Sequence, residues 1–149
     1  MSSNAGGNII NMLIMSSEGT IFKGPVSEAS FPSVTGQIMV LPGHMPVFTR
    51  LKEGEIIYKH NKEEVSIAVT GGFIEITQDS INVLADYAVR SSDIELEKAK
   101  KARERAQEVL KNRKGDVGSD YLEKELQKHI LTLKMGEKFH RRRTKNRNV

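Results

Sequence analysis

The chain has 149 residues, of which 38% are hydrophobic, 28% are charged and none is cysteine. This length suits one domain, or one domain with an appendage, and the lack of cysteine excludes disulfides, thiolate zinc sites and thiol catalysis. No apolar run reaches the roughly 18 residues that a membrane-spanning helix needs. The start MSSNAGGNIINMLIMSS lacks the basic first segment of a secretory signal. We therefore expect a soluble, intracellular protein.

Charge divides the chain into two parts. Residues 1–89 carry 5 Lys and Arg against 9 Asp and Glu, whereas residues 90–149 carry 18 against 10, so the net charge changes from −4 to +8. The hydrophobic pattern changes at the same place, and such a coincident shift predicts two structural units with different partners. We expect a loose N-terminal tail over residues 1–8, a β domain over 9–89, a helix-loop-helix domain over 90–136 and a basic C-terminal tail over 137–149.

The first unit has the pattern of short strands. In VSIAVT, apolar Val65, Ile67 and Val69 alternate with smaller or polar residues, as in a half-buried strand. Gly71-Gly72 predicts a two-residue hairpin turn, because glycine accepts positive φ, and Gln78-Asp79 predicts a second tight turn. Other apolar runs lie between Gly, Pro and Ser residues: IINMLIM, GTIFKGPV, GQIMVL, PVFTRL, EIIYKH, FIEIT and SINVLA. Such spacing favours an antiparallel sandwich or flattened barrel.

The second unit predicts a helical hairpin. Ser92 and Glu95 have the spacing of a capping box at the start of the first helix. Its narrow, alanine-rich stripe suits close packing against another helix and comprises Ile94, Leu96, Ala99, Ala102, Ala106, Val109 and Leu110. The fold class is therefore α+β, with an N-terminal antiparallel β-sandwich followed by a C-terminal α-helical hairpin.

Residues 115–119 predict the break between the two helices. Asp120 with Glu123 predicts a second helix cap, and the stripe of the second helix comprises Leu122, Leu126, Ile130 and Leu133. Gly136 predicts the end of this helix. The remaining stretch, EKFHRRRTKNRNV, predicts a basic tail without regular structure.

The residue pattern does not build an active site. The four histidines, at 44, 60, 129 and 140, lack metal-ligand spacing. Carboxylates in residues 93–108 mostly lie opposite basic residues at helical spacing, which is typical of a solvated helix face. A small β domain without catalytic groups, joined to a charged hairpin, indicates a connector or regulator in an assembly. The alternative is a nucleic-acid-associated or scaffold protein that uses its basic C-terminal half.

Two segments, GQIMVLPGHMPVFTRLKEGEI and VTGGFIEITQDSINVLADYAV, carry motifs with family-like spacing. They resemble the epsilon subunit family of F-type ATP synthases. GQIMVLPGHMPVFTRLKEGEI is similar to the family's Pro-Gly-His-x-Pro signature at Gly36, Leu41, Pro42, Gly43, His44, Pro46, Thr49, Leu51 and Gly54. VTGGFIEITQDSINVLADYAV is similar to the family's second landmark at Gly72, Phe73, Glu75, Leu84, Ala85, Asp86 and Ala88. The resemblance runs from about Ile9 to Met135.

The resemblance implies a fold and a role. It implies a sandwich of about ten strands and a helix-loop-helix, in a non-catalytic rotor subunit that links the gamma shaft to the c-ring of a proton- or ion-translocating synthase. The hairpin of such a subunit can extend towards the catalytic alpha and beta subunits and inhibit ATP hydrolysis. The expected location is peripheral, on the cytoplasmic side of a bacterial inner membrane, within the hetero-oligomeric complex. No nucleic acid and no cofactor are expected.

The same resemblance implies roles for particular residues. The turn at Leu41, Pro42, Gly43 and His44 would face the c-ring or gamma, and Gln37, which stands where relatives often carry an acid, would be a further contact residue. For His44, the alternative is that its side chain caps its own turn, and catalysis is the least favoured of its roles.

Some members of the family bind ATP on the folded hairpin through an Ile-Asp-x-x-Arg-Ala pattern. The matching positions are Ile94, Glu95, Lys98 and Ala99, with Arg105 at a further basic position. Lysine cannot make the bidentate fork that arginine makes with phosphate. The arginines expected on the second helix fall at Glu123, Ile130 and Lys134. These departures weigh against ATP sensing.

Overall fold

The computed structural model describes residues 8–112 and 119–147. The chain forms two compact units, Met1–Arg90 and Ser91–Val149. The predicted N-terminal tail lies outside the described residues except for Asn8, and so does most of the predicted break at residues 115–119. No helix in the described ranges is long and apolar enough to cross a membrane.

Ten strands make up the described part of the first unit, residues 8–90. They are β1 Ile10–Ser16, β2 Gly19–Val26, β3 Glu28–Ser33, β4 Gly36–Val40, β5 Val47–Leu51, β6 Gly54–His60, β7 Glu63–Val69, β8 Gly72–Ile76, β9 Ser80–Ala85 and β10 Ala88–Arg90. They pair in the order β10-β7-β6-β3-β5-β8-β9-β1-β2, and β4 pairs with β3 beside this path. The predicted β-sandwich is therefore confirmed.

Among the strands that the structure describes, all pairs are antiparallel except one. Strand β1 runs parallel to β9, with Met12 beside Ile81 and Met15 beside Leu84. At the two ends of the strand order, the Arg90 guanidinium on β10 donates a hydrogen bond to the Ile21 carbonyl oxygen on β2, at 3.1 Å. The sheet therefore curves until its first and last strands approach each other, which encloses the core.

Burial alternates along β8, but in β7 every residue from Ser66 to Val69 is buried, so the half-buried alternation predicted for VSIAVT is wrong. In β8 the buried residues are Gly72, Ile74 and Ile76, and Phe73 and Glu75 are exposed between them. Tyr58 is 1% exposed, and its ring centroid lies 4.5 Å from that of Phe22. Burial raises the pKa of the Tyr58 phenol above its ordinary value, and this effect exceeds the lowering of the pKa by the positive charge of Arg90. The phenol therefore stays neutral in the core.

The predicted hairpin at Gly71-Gly72 is wrong. Strand β7 pairs with β6 and β10, whereas β8 pairs with β5 and β9. Both glycines have positive φ, 147° and 139°, but they connect β7 to β8, which are not neighbours in the sheet. A Cβ at Gly72 would overlap the Leu84 carbonyl oxygen and lie 2.8 Å from the Ala85 Cα. Glycine is therefore needed because β9 lies so close.

The predicted turn at Gln78-Asp79 is confirmed. It joins the antiparallel strands β8 and β9, with Ile76 beside Ile81. The Thr77 amide donates to the Ser80 carbonyl oxygen at 2.8 Å, and the Ser80 amide donates to the Thr77 hydroxyl at 3.0 Å.

The second unit contains two helices that pack against each other, α1 Leu96–Asn112 and α2 Ser119–Arg147. The capping box at Ser92 and Glu95 is wrong, because a 3₁₀ turn at Ser91–Asp93 precedes α1 and Glu95 lies outside the helix. Asp120 lies in the first turn of α2 and not before it, where its carboxylate interacts favourably with the helix dipole.

The predicted end of α2 at Gly136 is also wrong. The helix continues through Gly136 to Arg147, so the described part of the predicted basic tail is helical. Each predicted stripe needs one correction as well. On α1, Val109 is 40% exposed, and on α2, Ile130 is 41% exposed while Leu131, Leu133 and Met135 are buried. Gly136 is helical because tertiary packing overrides the local preference of glycine for helix ends.

We expect Gly72→Ala to destabilise the sandwich strongly. The positive φ costs about 1–3 kcal/mol for alanine, and the overlap with Leu84 adds roughly 1–3 kcal/mol. Gly36→Ala is the matched control, because Gly36 also has positive φ but a Cβ there meets nothing within 4 Å. Urea denaturation of the full chain, followed by tyrosine fluorescence, measures both. Equal losses for the two variants would contradict the close approach at Gly72.

Candidate functional site

The Pro-Gly-His segment forms a turn between β4 and β5. The Gly43 amide donates to the Gln78 carbonyl oxygen at 3.1 Å, which ties this turn to the β8–β9 hairpin. The His44 amide donates to the Leu41 carbonyl oxygen at 3.1 Å. Gly43 has a φ of 83°, where side chains are disfavoured. The turn is therefore held in a defined shape at the edge of the sandwich.

The His44 ring bonds its own turn. Its Nδ1 lies 2.7 Å from the Met45 carbonyl oxygen, so Nδ1 carries the proton and donates. Beside it, Leu41 is 52% exposed and Met45 is 70% exposed. The turn thus presents apolar side chains and the Nε2 edge of a half-buried imidazole, a surface suited to contact with another chain.

Gln37 and His44 are not brought together. Gln37 lies near the start of β4, and its side-chain amide donates to the Ser30 hydroxyl at 3.3 Å. The turn follows the other end of β4, so Gln37 is roughly 13 Å from Leu41 along the strand. Leu41, Pro42, Gly43 and His44 share the turn, and Gln37 belongs to the opposite end of its strand.

A second surface lies on the outer side of β1, β9, β8 and β5. Four large side chains cluster there, which we call the outer patch: Met15, Phe48, Phe73 and Leu84. Phe48 is 72% exposed and Leu84 is 57% exposed. The rings of Phe48 and Phe73 stack with centroids 6.0 Å apart and an interplanar angle of 16°. The patch borders a hollow of about 480 Å³ that is also lined by Leu13, Glu75, Asn82 and Val83.

Strand register explains the outer patch. Met15 lies beside Leu84, Leu84 beside Phe73, and Phe73 beside Arg50, so these four side chains form one row across four strands. The Arg50 guanidinium lies 5.8 Å from the Phe73 ring centroid, within cation–π range. Clustered exposed apolar side chains with a charged margin mark an interaction surface.

The residues of the ATP-sensing pattern have different environments. Ile94 and Ala99 are buried, at 4% and 6% exposure. Glu95 and Lys98 form an ion pair of 3.0 Å with each other, and both side chains are largely exposed. Arg105 is exposed on α1. The structure therefore commits two of these five residues to packing and two to a mutual salt bridge.

The titratable side chains of the described residues do not form a metal site. Within residues 8–112 and 119–147, no three His, Asp or Glu side chains are arranged to hold a metal ion. Glu28 raises the pKa of Lys59 through a hydrogen bond and an ion pair of 2.9 Å. That pair lies on β3 and β6, outside the turn and the outer patch.

Comparison with known proteins identifies the family. The family profile described as "ATP synthase, Delta/Epsilon chain, beta-sandwich domain" matches residues 10–91. An ATP synthase epsilon chain of Endomicrobium trichonymphae is 38% identical over 136 residues, covering 91% of this chain and 99% of that one. The chain belongs to the ATP synthase epsilon chain family. An epsilon chain of Nitrosomonas eutropha is 33% identical over 138 residues, covering 92% and 99%.

Solved structures share the epsilon fold. A chain in the cryo-EM structure of the Euglena gracilis mitochondrial ATP synthase, OSCP/F1/c-ring, matches with a TM-score of 0.61 at 20% identity, covering 94% of this chain and 84% of that one. A chain of the Tetrahymena thermophila mitochondrial ATP synthase central stalk/c-ring matches with a TM-score of 0.52 at 9% identity, covering 85% and 96%.

Sequence reasoning missed the outer patch of this epsilon family member. The signal was present in the alternation, because Phe73 and Leu84 stand at strand positions whose neighbours point into the core. An apolar residue on the outward phase of a strand indicates an interaction surface. The parallel pairing of β1 with β9 places Met15 beside Leu84 and so extends the patch to a further strand. Short-range sequence patterns do not reveal that pairing.

We expect His44→Ala to change the free energy of unfolding by less than about 1 kcal/mol, because it removes one hydrogen bond at an exposed turn. Gly43→Ala should cost more, about 1–3 kcal/mol, because alanine is strained at a φ of 83°. Urea denaturation of both full-length variants tests this order. A larger loss for His44→Ala would mean that the imidazole stabilises the sandwich and is not primarily a contact residue.

Proposed function

We propose that this epsilon family member is a non-catalytic rotor subunit in the central stalk of an F-type ATP synthase. In this role the sandwich binds the foot of the gamma shaft and rests on the c-ring, so that rotation passes between the ring and the catalytic head. Membership in the epsilon family supports this role. Two solved structures with the same fold also support it, since their chains come from an OSCP/F1/c-ring assembly and from a central stalk/c-ring.

The outer patch is the observation that carries the proposal. Fully burying a large apolar side chain contributes roughly 1.5–3 kcal/mol. Covering the outer patch therefore strongly favours the binding of a partner chain. A hollow beside the Phe48–Phe73 stack offers a place for an apolar side chain of that partner. We assign gamma to the outer patch.

The turn at residues 41–46 suits the c-ring. It is a narrow surface, tied to the β8–β9 hairpin through Gly43 and Gln78. It connects directly to β5, whose Phe48 belongs to the outer patch. One rigid sandwich could therefore bind gamma through a broad apolar face and the c-ring through the adjoining turn. The chain would be held peripherally at the cytoplasmic side of the cell inner membrane through these partners.

The hairpin supplies a second part of the proposal, a brake on ATP hydrolysis. Exposed basic residues line both helices, and the helical course of α2 to Arg147 adds Arg141, Arg143, Lys145 and Arg147 to them. Lys128 contributes less, because it forms a 3.1 Å ion pair with Glu125. An extended hairpin would bind acidic surfaces of the catalytic alpha and beta subunits.

Regulation by bound ATP is not part of this proposal. Ile94 and Ala99 are buried, and Lys98 replaces the arginine whose fork would grip phosphate. We propose that the hairpin works without a cofactor.

The assignment of gamma to the outer patch predicts the effect of a charge there. Phe48→Glu should weaken gamma binding by about 2 kcal/mol or more, a factor of roughly 30, because it replaces an anchor ring by a carboxylate that must be desolvated. Val34→Glu is the matched control, since Val34 is 56% exposed but lies outside the patch. Titration of gamma with each full-length variant measures the affinities. Equal affinities would contradict the assignment.

The brake predicts a salt-dependent effect of removing the hairpin. Deleting the chain from Ser92 onward should raise ATP hydrolysis by the soluble head complex, and the difference should shrink as salt rises. Exposed ion pairs contribute only about 0–1 kcal/mol each and are screened over roughly 8–10 Å at ordinary salt. Hydrolysis by full-length and truncated complexes is measured from low to high ionic strength. Coincident curves at low salt would rule out the brake.

A further inference from the structure

Gly136 occupies an unusual position for a glycine. It lies inside α2, eleven residues before the helix ends at Arg147, and it is buried. Glycine in a helix interior is less favourable than alanine, because it loses more backbone freedom on folding. A structural reason must therefore offset this cost, and the reason lies in what faces Gly136.

The residues that face Gly136 belong to the start of the hairpin. A Cβ on Gly136 would lie 2.5 Å from the Ile94 Cγ2, 3.3 Å from the Ile94 Cβ and 3.0 Å from the Leu96 Cδ2. The Leu96 atom ends a flexible side chain and can move away. The Ile94 Cγ2 is attached to a branched Cβ, so its position follows the backbone and few rotamers are open to it.

The backbone that carries Ile94 has little freedom to retreat. Ile94 is 4% exposed, and it follows directly on the 3₁₀ turn at Ser91–Asp93, whose Ser91 is fully buried. The Ile94 amide donates to the Ser91 carbonyl oxygen at 3.4 Å. Any side chain at residue 136 must therefore displace α2 from the start of α1.

We infer that Gly136 is the closure point of the helical hairpin, the place where the lack of a side chain lets α2 lie against Ile94 and keeps the two helices together. Replacement by alanine shifts the hairpin from closed to open. It does so without weakening α2 itself, because alanine is the better helix former. The consequence for ATP hydrolysis rests on the proposed brake, whereas the closure point does not.

Distances between spin labels test the closure point directly. The chain has no cysteine, so Lys100→Cys on α1 and Lys134→Cys on α2, both at exposed positions, place one label on each helix. In the closed hairpin the labels give a short distance. In the open one they can separate by up to roughly 40 Å, given the helix rise of about 1.5 Å per residue. Measurements use the full chain assembled with its partner subunits.

Gly136→Ala should raise the ratio of long to short distances by about tenfold or more, with helix content by circular dichroism unchanged. Adding Ile94→Ala should return the ratio towards the original value, because it removes Cγ2. Adding Ile94→Val should not, because valine keeps a methyl at that position. An unchanged ratio, an equal rescue by both changes, or a loss of helix content without long distances would each overturn the inference.

Hydrolysis by the same complexes separates the inference from the brake. An opened Gly136→Ala hairpin should inhibit ATP hydrolysis more than the original chain, since the extended form is the proposed inhibitor. If the distances lengthen and hydrolysis does not change, the closure point stands and the brake is wrong.

Discussion

The parallel pairing of β1 with β9 is the contact on which the sandwich and its outer surface depend. It joins residues about seventy positions apart, so its loop closure is costly and must be repaid by burial. Met12 and Ile14 then enter the core on one face of β1. On the other face, Met15 comes to lie beside Leu84. One pairing thus completes the core inside and the apolar row outside.

Glycine at residue 72 allows β8 to pair closely with β9, the strand that also pairs with β1. Strand β8 enters beside β9 so closely that a Cβ there would overlap the Leu84 carbonyl oxygen. Leu84 is also the residue that joins Met15 to Phe73 in the outer patch. The close approach therefore positions the surface that we assign to gamma, and the glycine of the second family landmark has both a steric and a functional reason.

The two units offer different kinds of binding surface. The sandwich buries a continuous apolar core and presents an apolar patch, which suits a permanent interface that excludes water. The hairpin buries a narrow stripe and carries most of the basic charge, which suits contacts that form and break with ionic conditions. Gly136 contributes to the packing of the hairpin, because it lets two helices that bury little apolar area approach closely. The two units therefore suit the two parts of the proposed function, a lasting interface for the sandwich and a reversible contact for the hairpin.

Much of this protein follows from local sequence. The existence of β8 and β9, the turn at Gln78-Asp79 and the existence of two helices depend on neighbours in the chain, so short apolar runs, helical periodicity and turn chemistry were enough to predict them. The turn that carries His44 was recognisable for the same reason. By contrast, positive φ at Gly71-Gly72 is compatible both with a hairpin turn and with a connection between strands that do not pair. A glycine at residue 136 is likewise compatible both with the end of a helix and with close packing inside one. Only contacts between residues far apart in the chain, Gly72 with Leu84 and Gly136 with Ile94, decided between these, because steric exclusion acts in space and leaves no periodic trace in the sequence.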